Sequence, residues 1–251
     1  MRIIVSPAKK MKRDPDGLPV LGLPPFLPKT EELLRTLKGL SPDELKQVWK
    51  CSDAIAALNI QRLQSMSLKS QLTPAVLSYE GIQYRYMAPG VFTDREFAYI
   101  QEHLRILSGF YGMLKPFDGV TPYRLEMEAK LRVGEHENLY DFWGDLIANA
   151  LFEETDCIIN LASKEYSRCI RSHLSGNVRF ITCRFAELED GRLLEVGTLC
   201  KMARGEMVRF MAENQITDPE ELKRFDRFRY RFDPKRSNQK TFVFLREPKE
   251  E

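Results

Sequence analysis

Two short apolar runs are each followed by side chains able to do chemistry. Ile3-Ile4-Val5 leads into Ser6-Pro7-Ala8-Lys9, and Cys157-Ile158-Ile159-Asn160-Leu161 leads into Ala162-Ser163-Lys164-Glu165-Tyr166. If both runs are buried neighbouring strands of an open α/β sheet, ligands gather at their carboxyl ends. Lys9, Asn160, Ser163 and Tyr166 are then candidate catalytic residues, with Ser6 beside them, for an enzyme acting on a small anionic or nucleotide-like substrate. Ser6 to Lys9 also spells S-x-x-K. The S-D-N and K-T-G partners of that motif are absent, and Ser6 ends a strand instead of opening a helix, so the match is rejected. Ser163 is equally a natural helix cap and Asn160 a natural turn former.

Cations supply a second chemistry. Arg124 and Glu126 stand two apart in a turn-rich stretch, as an ion pair or as surface neighbours. Lys201 and Arg204 lie three apart on one edge of a helix that is apolar round much of its circumference, and Arg209 projects elsewhere. Two cations on a mostly buried helix need acidic residues, a phosphate or another anion opposite them. Gly205 in mid-helix costs roughly 1 kcal/mol against alanine, which points to close packing on another element or a ligand. From Lys223 to Lys240, eight Lys/Arg residues face only Asp226 and Asp233. Within that run Arg227-Phe228-Arg229-Tyr230-Arg231-Phe232 alternates as a strand would, with arginines on one face and aromatics on the other. The arginines either follow a phosphate backbone or are solvated above a buried aromatic face.

Leu107 to Met127 packs three glycines, two prolines and the charges Lys115, Asp118, Arg124 and Glu126 into one segment. Before it, Thr93 to Leu107 reads as an amphipathic helix, with Thr93 and Glu96 spaced as a capping box. A helix running into Gly109-Phe110-Tyr111-Gly112 would offer free backbone N–H groups to an anion, given a second helix starting there. That is the logic by which a helix-hairpin-helix grips a DNA phosphate; a plain tight turn is the alternative.

The elements that must position these groups follow from pattern. The 251 residues are 43% apolar and 29% charged, as in ordinary globular proteins, and the formal charge of +2 leaves nucleic-acid binding to a local basic patch. Five scattered cysteines without a C-x-x-C pair suggest reduced thiols in a cytoplasmic protein, and three scattered histidines suggest no metal site and no cofactor. No window approaches the roughly 20 apolar residues that span a bilayer. Residues 14–28, with five prolines and two glycines, read as an irregular excursion. Helices are predicted at Thr30–Leu37, Ser41–Trp49, Ser52–Gln64, Tyr140–Glu154, from Ser163, and at Leu199–Asn214. Strands are predicted at Arg2–Ser6, Ala75–Tyr79, Cys157–Leu161 and Thr241–Leu245, with a hairpin of Val178–Glu187 and Arg192–Glu195 across Glu189-Asp190-Gly191. Loose alternation of the two favours a mixed α/β or α+β fold. No linker divides residues 1–251, so one globular domain is expected.

Six blocks in order carry a resemblance: SPAK (6–9), LRxLSGxYGxLKPxD (104–118), PYRLEM (122–127), LYxFWGDxI (139–147), INLASxEY (159–166) and KxARGxMxRF (201–210). Together they span nearly the whole chain, which resembles the YaaA family of bacterial peroxide-stress proteins. The resemblance implies a cytoplasmic, monomeric protein that limits free iron, and with it oxidative DNA damage. It implies a single α/β domain with a central mixed sheet flanked by helices, a basic cleft, and a helix-hairpin-helix-like element that binds double-stranded DNA. Carried onto this chain, that element falls at Leu107–Gly112, with Gly109 and Gly112 in its loop and Arg105 and Lys115 flanking. Lys9, Arg124, Lys201 and Arg204 fall in the cleft, and Arg227, Arg229 and Arg231 extend the DNA-binding set. The loop holds one residue more than the usual Gly-hydrophobic-Gly, and Pro116 interrupts any helix starting directly after it.

Overall fold

The computed structural model describes residues 1–14 and 17–247; Pro15 and Asp16 of the proline-rich excursion lie outside the described residues. Eight strands make one mixed sheet: β1 (Arg2–Val5), β2 (Leu104–Ser108), β3 (Gly112–Leu114), β4 (Cys157–Leu161), β5 (Arg179–Glu189), β6 (Arg192–Leu194), β7 (Tyr230–Phe232) and β8 (Thr241–Arg246). Their order is β7-β8-β5-β4-β1-β2-β3, with β6 folded back on β5. The inner five, β8, β5, β4, β1 and β2, run parallel, and antiparallel β7 and β3 close the two ends. Ile3, Ile4 and Val5 are wholly buried, as continuous apolar runs in a covered parallel sheet should be.

Helices flank the sheet: α1 (Leu27–Lys38), α2 (Pro42–Trp49), α3 (Asp53–Gln64), α4 (Ile82–Met87), α5 (Asp94–His103), α6 (Leu139–Trp143), α7 (Leu146–Glu154), α8 (Lys164–Arg171) and α9 (Gly197–Asn214). Most starts and stops match the sequence signals. Ser41 and Glu44 form the capping box of α2, and Thr93 and Glu96 that of α5. The β5–β6 turn sits on Asp190 (φ 48°) and Gly191 (φ 75°).

Four expectations are corrected. The helix from Thr93 ends at His103, and Leu104–Ser108 is strand β2: leucines spaced for a helix face are instead wholly buried on both sides of the sheet. The Tyr140–Glu154 helix breaks at Gly144, whose φ of 49° ends α6. Ala75–Ser78 is one helical turn between the two-residue ladders Thr73–Pro74 and Tyr79–Glu80, not a strand. Only Tyr230–Phe232 of the arginine–aromatic repeat is strand, because Phe228 (φ 53°) and Arg229 (φ 64°) are left-handed and break the alternation.

The helix-hairpin-helix expectation is corrected as well. Residues 104–114 form a β-hairpin, buried throughout. Ser108 Oγ accepts the N–H groups of Phe110 (3.1 Å) and Tyr111 (2.9 Å), two amides that the proposed phosphate grip would have used. A Cβ at Gly109 would come within 2.7 Å of the Leu125 carbonyl oxygen, so this glycine seats the hairpin on the 122–127 segment. Gly112, at φ 76°, turns beneath Phe26 and Trp143. Both glycines serve packing.

Candidate nucleic-acid interface and the cleft beneath it

β1, β2 and β4 are parallel neighbours, so their carboxyl ends deliver Ser6, Gly109 and Ala162-Ser163 to the same edge. Ser6 and Ser163 meet there. The Ser163 N–H donates to Ser6 Oγ (2.8 Å), the Ser6 hydroxyl lies 3.2 Å from Ser163 Oγ, and the Tyr84 hydroxyl donates to the Ser6 carbonyl (3.0 Å). Ser163 heads α8 but makes no side-chain cap bond, since its hydroxyl is turned to Ser6. Asn160 is committed elsewhere: its Oδ1 accepts the Ala162 N–H (3.0 Å) and its Nδ2 donates to Thr182 (3.3 Å), which makes it a turn former. Tyr166 is buried, and that burial lifts its phenol well above the ordinary range, with Glu165 adding to the shift. Of the four candidate catalytic residues, Asn160 and Tyr166 are buried, while Lys9 is exposed and Ser163 half-buried against Ser6.

Lys9 and Arg124 converge from 115 positions apart on one carboxylate. Lys9 Nζ lies 2.7 Å from Glu126 Oε2, and Arg124 lies 3.5 Å from Oε1, its Nε donating to the Trp49 carbonyl (3.4 Å). Glu165 accepts the Glu128 N–H (3.2 Å); burial, then the neighbouring Glu126 and Glu128, raise its carboxyl above the usual value. The cleft is therefore mixed in charge.

Its rim is not. The chain from Lys9 runs on through Lys10, Lys12 and Arg13, which pattern reading passed over because it stopped at the S-x-x-K match. Lys10-Met11 pairs with Tyr79–Glu80, so Met11 is buried while Lys10 and Lys12 face out. Arg62 of α3 donates to the Met11 carbonyl (3.2 Å), and its guanidinium is pushed down by burial and then by the like charge of Arg13. Six cations (Lys9, Lys10, Lys12, Arg13, Arg62 and Arg124) stand against four carboxylates, those of Asp14, Glu80, Glu126 and Glu165, the last of which feels Lys9. Such crowding of like charge on an exposed edge favours an anionic partner.

Lys201 approaches the same edge. A Cβ on Gly205 would run into the Gln83 carbonyl oxygen and come within 2.8 Å of the Met87 nitrogen, so the glycine exists for contact between α9 and α4. Gln215, past the far end of α9, reaches the Arg95 carbonyl beyond α4 (3.5 Å). The two helices thus run in the same direction, which sends Lys201, one turn before Gly205, toward Gly81, itself packed on Ala8.

The other cations do not join them. Arg105 and Lys115 sit toward the amino ends of β1 and β2, away from Ser6. Arg105 is buried and shares Glu154 with Arg2, and its Nη1 donates to the carbonyls of Gln101, Glu102 and Leu104. The Lys223–Lys240 run is largely neutralised: Arg227 is held by Glu206 and Glu213, Lys223 by Glu220, Arg224 by Glu221, and Arg236 by Asp233. Arg231 reaches Asp226 and Glu247 at 3.9 Å. The composition of that run concealed much of its pairing because the partners of Arg227, Lys223 and Arg224 lie on α9 and in residues 220–221, outside the basic window.

The family described as "Peroxide stress protein YaaA" matches residues 1–236. This chain belongs to the YaaA peroxide-stress family. A UPF0246 protein of Lachnoclostridium phytofermentans is 54% identical over 98% of this chain and 96% of its own length. UPF0246 proteins of Agathobacter rectalis and Desulfitobacterium hafniense are 53% and 52% identical over 98% of this chain, at 99% and 98% of their own lengths. For a YaaA-family chain the thiols carry weight, since peroxide attacks thiolates. All five cysteines are free, and burial pushes Cys169 and Cys183 up to about 12. Among the described residues no helix is long and apolar enough to cross a membrane, and no group of three or more His, Cys, Asp or Glu is gathered as a metal would need.

Proposed function

We propose that this YaaA-family chain serves the response to hydrogen peroxide as a cytoplasmic, monomeric protein that binds double-stranded DNA. Its contact surface is the rim of Lys9, Lys10, Lys12, Arg13, Arg62 and Arg124, with Lys201 beside it. The observation that supports this reading is the excess of cations over carboxylates on that exposed edge. Cations on such a rim neutralise phosphates, and no recognition helix for base readout is evident in the sequence, so binding is weakly specific in sequence and strongly dependent on salt. Limitation of free iron enters as an indirect effect, with DNA shielded at the surface where iron-driven oxidation would occur. Fluorescence anisotropy with a short duplex tests it. About five phosphate contacts lower the affinity by between roughly two and three decades from 50 to 200 mM salt. Binding that ignores salt, or none at low salt, refutes the proposal.

The second reading, an enzyme acting on a small anionic or nucleotide-like substrate, is favoured by a separate observation. The Ser6–Ser163–Tyr84 hydroxyl cluster lies at the carboxyl ends of the central strands, where enzymes of open α/β sheets place their chemistry. Here Lys9 supplies the charge and Ser163 the hydroxyl. A small molecule carried through purification, lost in Ser163→Ala with the fold intact, supports it; release of no small molecule on denaturation counts against it.

A further inference from the structure

Two half-buried arginines keep a nitrogen out of solvent without the partner such a group usually has. Arg204 on α9 and Arg229 before β7 have no carboxylate within ion-pair distance and no side-chain hydrogen bond among the described residues. Arg204 Nε and Arg229 Nη1 are both out of solvent without a partner. Arg246 adds a third orphan: its Nη1 reaches Glu187 (2.8 Å), while its Nε is buried and unpaired. Elsewhere among the described residues, the buried side-chain orphans are Trp49 Nε1 and Arg105 Nε. Three of the five thus come from one wall of the molecule.

Contacts on both sides bring these arginines together. Phe228 packs on Tyr86 (5.1 Å between rings), and Tyr86 abuts Gly205, the residue after Arg204; Arg229 is the residue after Phe228. On the other side Tyr230 pairs with Arg246 in register. The Tyr230 phenol feels Cys200 and Arg246, and the Cys200 thiol in turn feels Arg204. Burial pulls the Arg204 guanidinium below its ordinary value, against the smaller opposing pull of Cys200, Glu195 and Cys183.

The backbone is held to this arrangement at a cost. Phe228 and Arg229 are consecutive non-glycine residues at φ 53° and 64°. Left-handed residues of this kind cost of order 1–3 kcal/mol each and gather where a site is built. The nearby carboxylates are already engaged: Glu187 holds Arg246 and Glu195 holds Arg184 (2.7 Å).

We infer that Arg204, Arg229 and Arg246 form a binding site for a phosphate group, between the start of α9 and the β7–β8 edge. The charge count selects the ligand. Two guanidinium charges lack a carboxylate, and a phosphate or phosphomonoester carries close to two negative charges near neutral pH, with several strong acceptor oxygens. Arginine forks suit those oxygens. A carboxylate would neutralise only one of the two. Duplex phosphodiesters are a poor match, since each carries one charge and the orphan N–H groups lie below the surface. This site therefore differs in ligand chemistry from the rim proposed to bind DNA, with Lys201 one helical turn from Arg204 between them.

The test is direct on the full chain. Inorganic phosphate is titrated while the arginine Nε–H signals are followed by NMR, with Arg204 identified from its loss in Arg204→Met. Saturable shifts at Arg204 and Arg246 with one phosphate bound per chain are expected. Adenosine monophosphate in a parallel arm separates sources: tighter binding than phosphate assigns the site to a phosphate ester, and equal binding to the free ion. Phosphate at about 100 times its Kd should raise Tm by roughly 5–10 °C. Arg204→Met and Arg229→Met should each weaken phosphate at least about tenfold, while Lys115→Met, a cation at the far end of the sheet, should not. In phosphate-free buffer Arg204→Met should melt no lower than wild type, because it removes an unpaired buried charge. No shift and no change in Tm at about 10 mM phosphate would overturn the site, as would Arg204→Met melting lower with phosphate affinity retained.

Discussion

Glu126 is the carboxylate on which the rim turns, and replacing it isolates the electrostatic argument. It holds Lys9 at 2.7 Å and Arg124 at 3.5 Å, so any phosphate reaching either cation must compete with it. Exposed ion pairs contribute about 0.2–1 kcal/mol each. Freeing both cations in Glu126→Gln therefore makes between about 0.4 and 2 kcal/mol available to the duplex, or roughly 2- to 30-fold tighter binding. Arg124 is largely buried and anchored on the Trp49 carbonyl, so Lys9 should supply most of the gain. The salt slope should steepen by up to about 0.9, the increment for one further phosphate contact. Anisotropy across a salt series measures affinity and slope together, and circular dichroism controls for fold. Weaker binding, or an unchanged slope at unchanged affinity, would refute the idea that the rim contacts phosphate, since no other reading makes loss of Glu126 favourable.

Four further outcomes are expected. Arg227→Met should leave duplex affinity within about twofold while destabilising the fold by about 1–3 kcal/mol in urea, because Arg227 is spent on Glu206 and Glu213. Gly205→Ala should lower Tm despite the better helix former, since the added carbon meets backbone atoms of α4 that cannot swing aside; about 1–3 kcal/mol of overpacking outweighs roughly 1 kcal/mol of propensity. Burial raises Asp118 to about 6, so its folded state favours the proton and its contribution to stability fades as pH rises through about 6. Asp118→Asn should accordingly stabilise the protein by up to about 3 kcal/mol at pH 7.5 and hardly at all near pH 4, read by urea melts at both. Under peroxide the native chain should keep Cys169 and Cys183 as thiols by mass spectrometry, because burial that lifts both to about 12 leaves almost no thiolate to oxidise.

What could be read from the residues and what could not divide along physical lines. Local signals were legible: the Ile3–Val5 and Cys157–Leu161 strands, the capping boxes at Ser41 and Thr93, the hairpin at Asp190-Gly191 and the close approach at Gly205 all declare themselves within a few positions. The helix from Thr93 was misjudged where tertiary burial overrode periodicity, since Leu104 and Leu107 satisfy a helix face and a doubly covered strand alike. Convergence of Lys9 with Arg124 was expected from the family resemblance, while the residues themselves offered only the condition that the two central strands be neighbours, which the β4-β1-β2 order meets. Pairing of charges was illegible, because Arg227 is neutralised from a helix that precedes it and no window of composition records that.

Ion pairing therefore sorts the cations better than their number along a run does. The longest basic stretch, Lys223–Lys240, carries partners for four of its eight cations within 3.2 Å and for Arg231 at 3.9 Å. The shorter Lys9–Arg13 stretch is joined by Arg62 and outnumbers its carboxylates. Arg204, and Arg229 within the longer run, have no carboxylate partner among the described residues and each keeps a nitrogen out of solvent. A polyanion gains most where cations are exposed and only partly neutralised, because that surface is desolvated at little cost. A compact dianion gains most where cations are buried and bare, because its charge relieves a penalty the fold already bears. The two proposed sites occupy these opposite regimes, so salt should separate them: raising it weakens the duplex steeply and the buried phosphate only slightly.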